Sequence, residues 1–307
     1  MDVAPTDSGD KPRSRWRTLG WLVPLVLVVA VAGVLSARFL RDQPALMSFV
    51  DTYPGESALP AWAPVGLPAW LGWQHGLNAF FLLFVIRSGL KLRKKQRPAT
   101  FFTRNNTGLL KTKNPPSRMG IDLWLHLVVD ILFVANGVLY IVLLFATSQW
   151  VRVVPTSWDI FPNAFSAALQ YASLNWPTDN GWVNYNALQL LSYFAVSFIL
   201  APVAIATGLR MSPSFIKRDI RWFPLAAATK VHWWTLVAFL AFTAVHVFLV
   251  LATGSLRNLN HIYAANDSDS PAGPIVFIAT LILMALAVLL LKTPALKAIA
   301  GTMGKVR

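Results

Sequence analysis

The stretch VHWWTLVAFLAFTAVHVFLVLAT, Val231–Thr253, decides the reading of this chain. It is almost wholly apolar, and its two histidines, His232 and His246, lie fourteen positions apart. As a helix rising about 1.5 Å per residue, it holds the two imidazoles roughly 21 Å apart along its axis. Fourteen steps of about 100° fall only about 40° short of four turns, so both rings face the same way. A helix of membrane-spanning length thus offers two ligands on one face, at two depths.

The rest of the chain agrees with a membrane setting. Of 307 residues, 55% are apolar and 13% charged, unlike a soluble domain of this size. Six stretches reach the roughly 20 residues that a bilayer requires. They are Leu19–Leu40, Trp70–Leu92, Ile121–Thr147, Leu188–Gly208, Val231–Thr253 and Pro274–Leu291. No strand-period repeat interrupts them, so the expected fold is an all-α integral membrane protein with six transmembrane helices. The chain has no cysteine, which excludes disulfides, thiolate-bound iron–sulfur clusters, Cys-containing zinc sites and covalent c-type haem attachment.

The net charge of +14 does not point to nucleic acid, because of where it lies. Lys and Arg mark cytoplasmic loops. One side of the membrane holds Lys11, Arg13, Arg15 and Arg17; the run from Lys91 to Arg118, with Arg93, Lys94, Lys95, Arg97, Arg104, Lys111 and Lys113; then Arg210, Lys217, Arg218, Arg221 and Lys230; and finally Lys292, Lys297, Lys305 and Arg307. The other side holds only Arg38, Arg41, Arg152 and Arg257. Both termini are therefore expected in the cytoplasm, in the inner (plasma) membrane, with anionic lipid against the basic loops. Arg13–Arg17 followed by Trp21–Ala37 also matches a signal peptide, but the length of the apolar run and the following Arg38 and Arg41 favour a retained helix.

On this topology the histidines sort by depth. His75 and His246 fall near the outer face, each sixteen residues from an inner basic residue, Lys91 and Lys230. His126 and His232 fall near the inner face. Two imidazoles at one depth are what a bis-histidine haem takes from its protein. A lone intramembrane histidine is more often a satisfied polar residue. Four of them in two matched layers favour two haem b groups, since intramembrane ionisable residues are usually functional. His261 is left as a loop residue, one able to sit near a propionate or an outer quinone.

The arrangement resembles the bacterial di-haem b-type cytochromes that serve nickel–iron hydrogenase, formate dehydrogenase and thiosulfate reductase. The resemblance rests on His75 in GWQHGLNAFFLLFVIRSGL, His126 in IDLWLHLVVDILFVANG, and His232 and His246 in KVHWWTLVAFLAFTAVHVFL. The fourth span, with Ala201, Pro202, Ala204 and Gly208, matches the helix without a ligand. The resemblance implies a four-helix di-haem core over residues 70–253. Residues 1–18 then form a cytoplasmic tail, 19–69 an extra helix and outer loop, and 254–307 an outer loop, a last helix and an inner tail. In those relatives the first haem helix starts in the cytoplasm; the charges here make it start outside, so the core is expected to be inverted.

Other residues fit this reading. Asp130, one turn after His126, suits an acceptor for its imidazole, a proton relay, or a partner for Arg87. Arg87 suits a haem propionate, a salt bridge or snorkelling. Gly89, Gly137 and Gly208 allow close approach of a flat macrocycle or of another helix. Trp70, Trp73, Trp124, Trp233 and Trp234 lie near the interfaces, as belt residues do. The long outer loop 148–186 contains an expected surface helix, Phe161–Leu174. Seven outer acids, Asp42, Asp51, Glu56, Asp159, Asp179, Asp267 and Asp269, suit an electron-transfer partner, or reflect ordinary charge bias. The basic inner loop suits a soluble subunit. The sequence thus predicts a di-haem cytochrome passing electrons across the membrane between the quinone pool and a redox partner, as the electron-transfer subunit of an oxidoreductase complex. The alternatives are a self-contained transmembrane reductase, which usually has a histidine pair on each of two helices, and a haem-free transporter, which would show a repeat and midplane polar residues.

Overall fold

The computed structural model describes residues 15–94, 96–107, 111–176, 180–216 and 218–307. Lys11, Arg13, Lys95, Asp179 and Lys217, used in the charge argument above, lie outside the described residues. Six helices there are long and apolar enough to cross a membrane: α1 (Arg15–Arg41, apolar from Gly20), α3 (Ala69–Arg93), α4 (Ile121–Ala146), the span Ala187–Met211, α8 (Leu225–Ala252) and α10 (Ala272–Leu290). Each covers its expected stretch to within a few residues, and α8 begins six residues early, right after Pro224. Proline before a helix start is permitted because the first-turn amide needs no partner.

Two pairs of helices form the centre. α3 packs along α4, and the second half of the fourth span packs along α8. That fourth span is built of α6 (Ala187–Phe194), a π-helical turn (Ala195–Leu200) and α7 (Ala201–Met211). Asn186 and Gln189 close its start with a reciprocal capping box. Pro202 accounts for the wide turn. Its missing N–H disrupts the α-helical ladder, and the amide of Ala201 reaches back five residues to the Val196 carbonyl.

Small elements close both faces. On one face, α11 (Thr293–Met303) and a three-stranded antiparallel sheet lie beneath α3 and α4. The sheet orders β2 (Met119–Gly120), β1 (Phe101–Arg104) and β3 (Gly304–Val306). Phe84, Phe102, Ile121, Trp124, Leu125, Val129, Leu296 and Ala300 are buried together there. On the other face, α2 (Pro44–Thr52) and α5 (Ile160–Ala172) form a cap. Arg38 on α1 donates to the Ser173 carbonyl, and Arg41 to its hydroxyl, tying α1 to the end of α5. The expected surface helix Phe161–Leu174 is thus present as α5. The sheet, α2 and α11 lie in segments that the sequence reading assigned to loops and tail. α1 keeps its apolar side chains exposed, Trp21 at 82%, as a lipid-facing helix must.

After α8, α9 (Ser255–Leu259) runs into a second π-helical turn, Asn260–Ala264, which seats on the N-terminal end of α3. Gly72 permits this contact: a Cβ there would stand 2.5 Å from the Ile262 carbonyl oxygen. His261 therefore belongs to a helical turn and is buried. Its Nε2 donates to Asp267 at 2.7 Å, and Arg257 and Asn180 donate to the same carboxylate. The Arg257 bonds first, then His261, hold the Asp267 carboxyl well below the usual carboxylate range.

Candidate functional site

The intramembrane histidines interact across the two helix pairs, His75 with His246 by ring contact and His126 with His232 electrostatically. In the layer that the charge pattern would place outermost, the rings of His75 on α3 and His246 on α8 stand 6.0 Å apart between centroids, their planes inclined by 63°. Aromatic rings surround them. Tyr263 meets His75 edge-on at 5.7 Å, Phe242 stacks on His246 at 5.5 Å, and Tyr193 meets His246 at 6.1 Å. Phe242 also lines an apolar cleft of about 320 Å³ with Ser192, Val196, Ile199, Leu200 and Ala238, between the fourth span and α8.

The inner layer is built by one device used twice. Ser88 on α3 donates its hydroxyl proton to the Phe84 carbonyl at 2.6 Å, and its oxygen lies 2.8 Å from His126 Nδ1. With its only proton committed, that oxygen accepts, so Nδ1 of His126 carries the hydrogen. Thr207 on α7 donates to the Val203 carbonyl at 2.7 Å and lies 2.9 Å from His232 Nδ1. The network therefore assigns the same tautomer to both rings, with the Nε2 lone pairs left to bind. Beside each hydroxyl sits a glycine. A Cβ on Gly89 would be 3.3 Å from His126 Cε1, and one on Gly208 would be 3.6 Å from His232 Cε1. Nothing lies within 4 Å of a Cβ at Gly137.

Of the places suggested for Asp130 and Arg87, their pairing with each other is absent, and Asp130 does not hold His126 Nδ1. Asp130 Oδ2 stands 3.6 Å from His126 Nε2, so the Nδ1 acceptor is Ser88 rather than Asp130. Asp130 also interacts electrostatically with His232 across the cleft. Arg87 does not pair with Asp130. Its Nη2 donates to the Leu291 carbonyl at the end of α10, its guanidinium lies 5.7 Å from the Phe84 ring, and its Nη1 is buried without a partner. Ser88 and Thr207 escaped the sequence reading, although each stands directly before a glycine that it did single out.

The residues present fit haem b. His75 and His246, 6.0 Å apart between ring centroids, are close enough that both imidazoles would hold one haem between them. In the second layer His126 and His232 act on one another electrostatically, and Asp130 lies beside His126 at 3.6 Å. An imidazole whose other nitrogen is held by a hydrogen bond is oriented as a ligand should be.

Six apolar helices around paired intramembrane histidines define a multi-pass membrane b-type cytochrome. Comparison with family models supplies the family: residues 66–263, well over half of the chain, match prokaryotic cytochrome b561, and the chain belongs to that family. Its activity is transmembrane electron transfer through b-type haem. No curated protein matches the chain, and no solved structure does.

Proposed function

We propose that this chain is a di-haem cytochrome that carries electrons across the inner membrane between the quinone pool and a redox partner, as the membrane subunit of an oxidoreductase complex. His75 and His246 hold the outer haem; His126 and His232 hold the inner one. Residues 70–253 are the haem-binding core. The observation that carries this reading is the facing of His75 and His246 at 6.0 Å across two separately packed helix pairs.

Haem b supplies one-electron chemistry when bound. The protein's own contribution is to hold, orient and dry the sites. Ser88 and Thr207 fix the tautomers of the inner ligands, and Phe242, Tyr193 and Tyr263 wall the outer ones from water. Asp130 lies at the edge of the inner site, and Arg87 brings a buried, unpartnered Nη1 suited to a propionate. Purified protein is expected to contain two haems per chain by pyridine haemochrome, with a low-spin reduced-minus-oxidised spectrum. One haem would break one of the two pairings, and a colourless protein made with ample haem supply would overturn the reading.

Both termini face the cytoplasm in this proposal, as the basic loops require. A chain without cysteine makes the test clean. Trp158→Cys, at a side chain 85% exposed, is expected to react with a membrane-impermeant maleimide in intact cells stripped of their outer layers. Lys94→Cys is expected to react only after lysis. The opposite pattern would invert the topology.

A further inference from the structure

Arg152 ends a short 3₁₀ turn, Gln149–Arg152, just past the outer end of α4, and it is only 2% exposed. A guanidinium stays charged in any protein environment. Buried charges are normally paired with an opposite charge. No carboxylate pairs with Arg152 among the described residues. Backbone carbonyls hold it instead: Nη1 donates to Pro64, Trp182 and Val183 at 3.4, 3.0 and 3.2 Å, and Nη2 to Gly181 at 2.6 Å. Its Nε is buried with no partner at all. Dipoles therefore stabilise this cation without cancelling its charge.

Two routes connect it to the outer histidines. The guanidinium lies 4.9 Å from the Tyr185 ring, Tyr185 meets Tyr193 at 5.2 Å, and Tyr193 meets His246 at 6.1 Å. On the other side Arg152 and Leu71 line one cavity of about 20 Å³. His75 follows Leu71 on α3 by about one helical turn. The nearby Asp267 is already bound by Arg257 and His261 and does not offset Arg152.

We propose that Arg152 is a positioning residue for electrons: its uncancelled buried charge stabilises the reduced state of the outer haem and raises that haem's midpoint potential. The inference rests on the di-haem reading. Taking one electron from a mediator lowers the charge of the haem site by one, and a fixed cation nearby favours the more negative state. At the effective dielectric of about 20 that suits protein sites, a unit charge within roughly 12 Å of a redox centre would be worth about a tenfold change or more in that equilibrium.

The test is a potentiometric titration of purified protein containing two haems. The midpoint that disappears in His246→Ala identifies the outer haem. Arg152→Gln is expected to retain both haems and to lower only the outer midpoint, by about tenfold in the oxidised-to-reduced ratio at fixed potential, or 59 mV for a one-electron couple. Arg152→Lys, which keeps the charge, is expected to stay near the wild-type value. Should Arg152→Gln fail to assemble, Gln149→Glu places a carboxylate on the same cavity with Arg152 retained, and it is expected to lower the same midpoint. An unchanged outer midpoint in either neutralising variant, or an equal fall in Arg152→Lys, would overturn the proposal. Fewer than two haems in the wild type would instead overturn the di-haem reading beneath it.

Discussion

His246→Ala is expected to yield a protein with one haem in place of two. The pyridine haemochrome should fall by half, and the remaining spectrum should stay low-spin because the inner pair is untouched. The prediction follows from the separation of the layers: His232 and His246 share α8 but lie roughly 21 Å apart along it, and each meets a different partner helix. His75→Ala should give the same remaining spectrum, because it removes the other ligand of the same haem. His126→Ala should give the complementary one. Loss of both haems in any single variant would mean that the layers fold as one unit, and loss of neither would remove that histidine from the ligand set. Some destabilisation should accompany each loss, since a ligand that binds only the folded state adds to its stability. Thermal unfolding should therefore shift downward together with the haem content.

Gly89→Val is expected to have an effect nearly as large without removing any ligand. A Cβ at this position would stand 3.3 Å from His126 Cε1, closer than most real Cβ contacts, and valine adds two further methyls. Valine in a helix is largely confined to one χ1 rotamer, so it has little freedom to turn its methyls aside. The imidazole must tilt, and its Nδ1–H bond to Ser88 breaks with it. The inner haem should be lost and the outer one kept. Gly208→Ala is the control: its Cβ would lie 3.6 Å from His232 Cε1, an ordinary contact, so two haems should remain. If Gly89→Val keeps a normal two-haem spectrum, the close fit of Gly89 to His126 does not govern ligand position.

These two variants also mark how far the sequence could be read. The six spans were legible because about twenty apolar residues in a row have few other uses. The meeting of His75 with His246 was legible because helical rise converts residue number directly into depth. Which group holds each ring was not. Ser and Thr in a helix bond back to the carbonyl four residues earlier, as Ser88 does to Phe84 and Thr207 to Val203. In sequence they look satisfied, and only the facing helix shows that the same oxygen also accepts from an imidazole. The dipeptides Ser88-Gly89 and Thr207-Gly208 were the available signal, a hydroxyl to hold a ring beside a gap to admit it. Arg152 was invisible for a related reason. It counted as one of four outer cations, yet its burial depends on carbonyls from two distant loops, around Pro64 and Gly181–Val183. The sheet was hidden by size and span: its strands have two to four residues, and Thr100 meets Arg307 across 207 positions.

That small sheet carries information about how the chain is threaded. β1 follows the second long span and β3 follows the sixth. They can meet only on the same surface of the bilayer, so the number of crossings between them must be even. Four spans lie between, and the pairing of Phe102 with Val306 closes only if all four have crossed, or none, or two. A nascent protein in which a single one of them stalled would leave β1 and β3 on opposite surfaces, with an open strand edge exposed. The short strand Gly304–Val306 thus acts as a parity check on every insertion since β1.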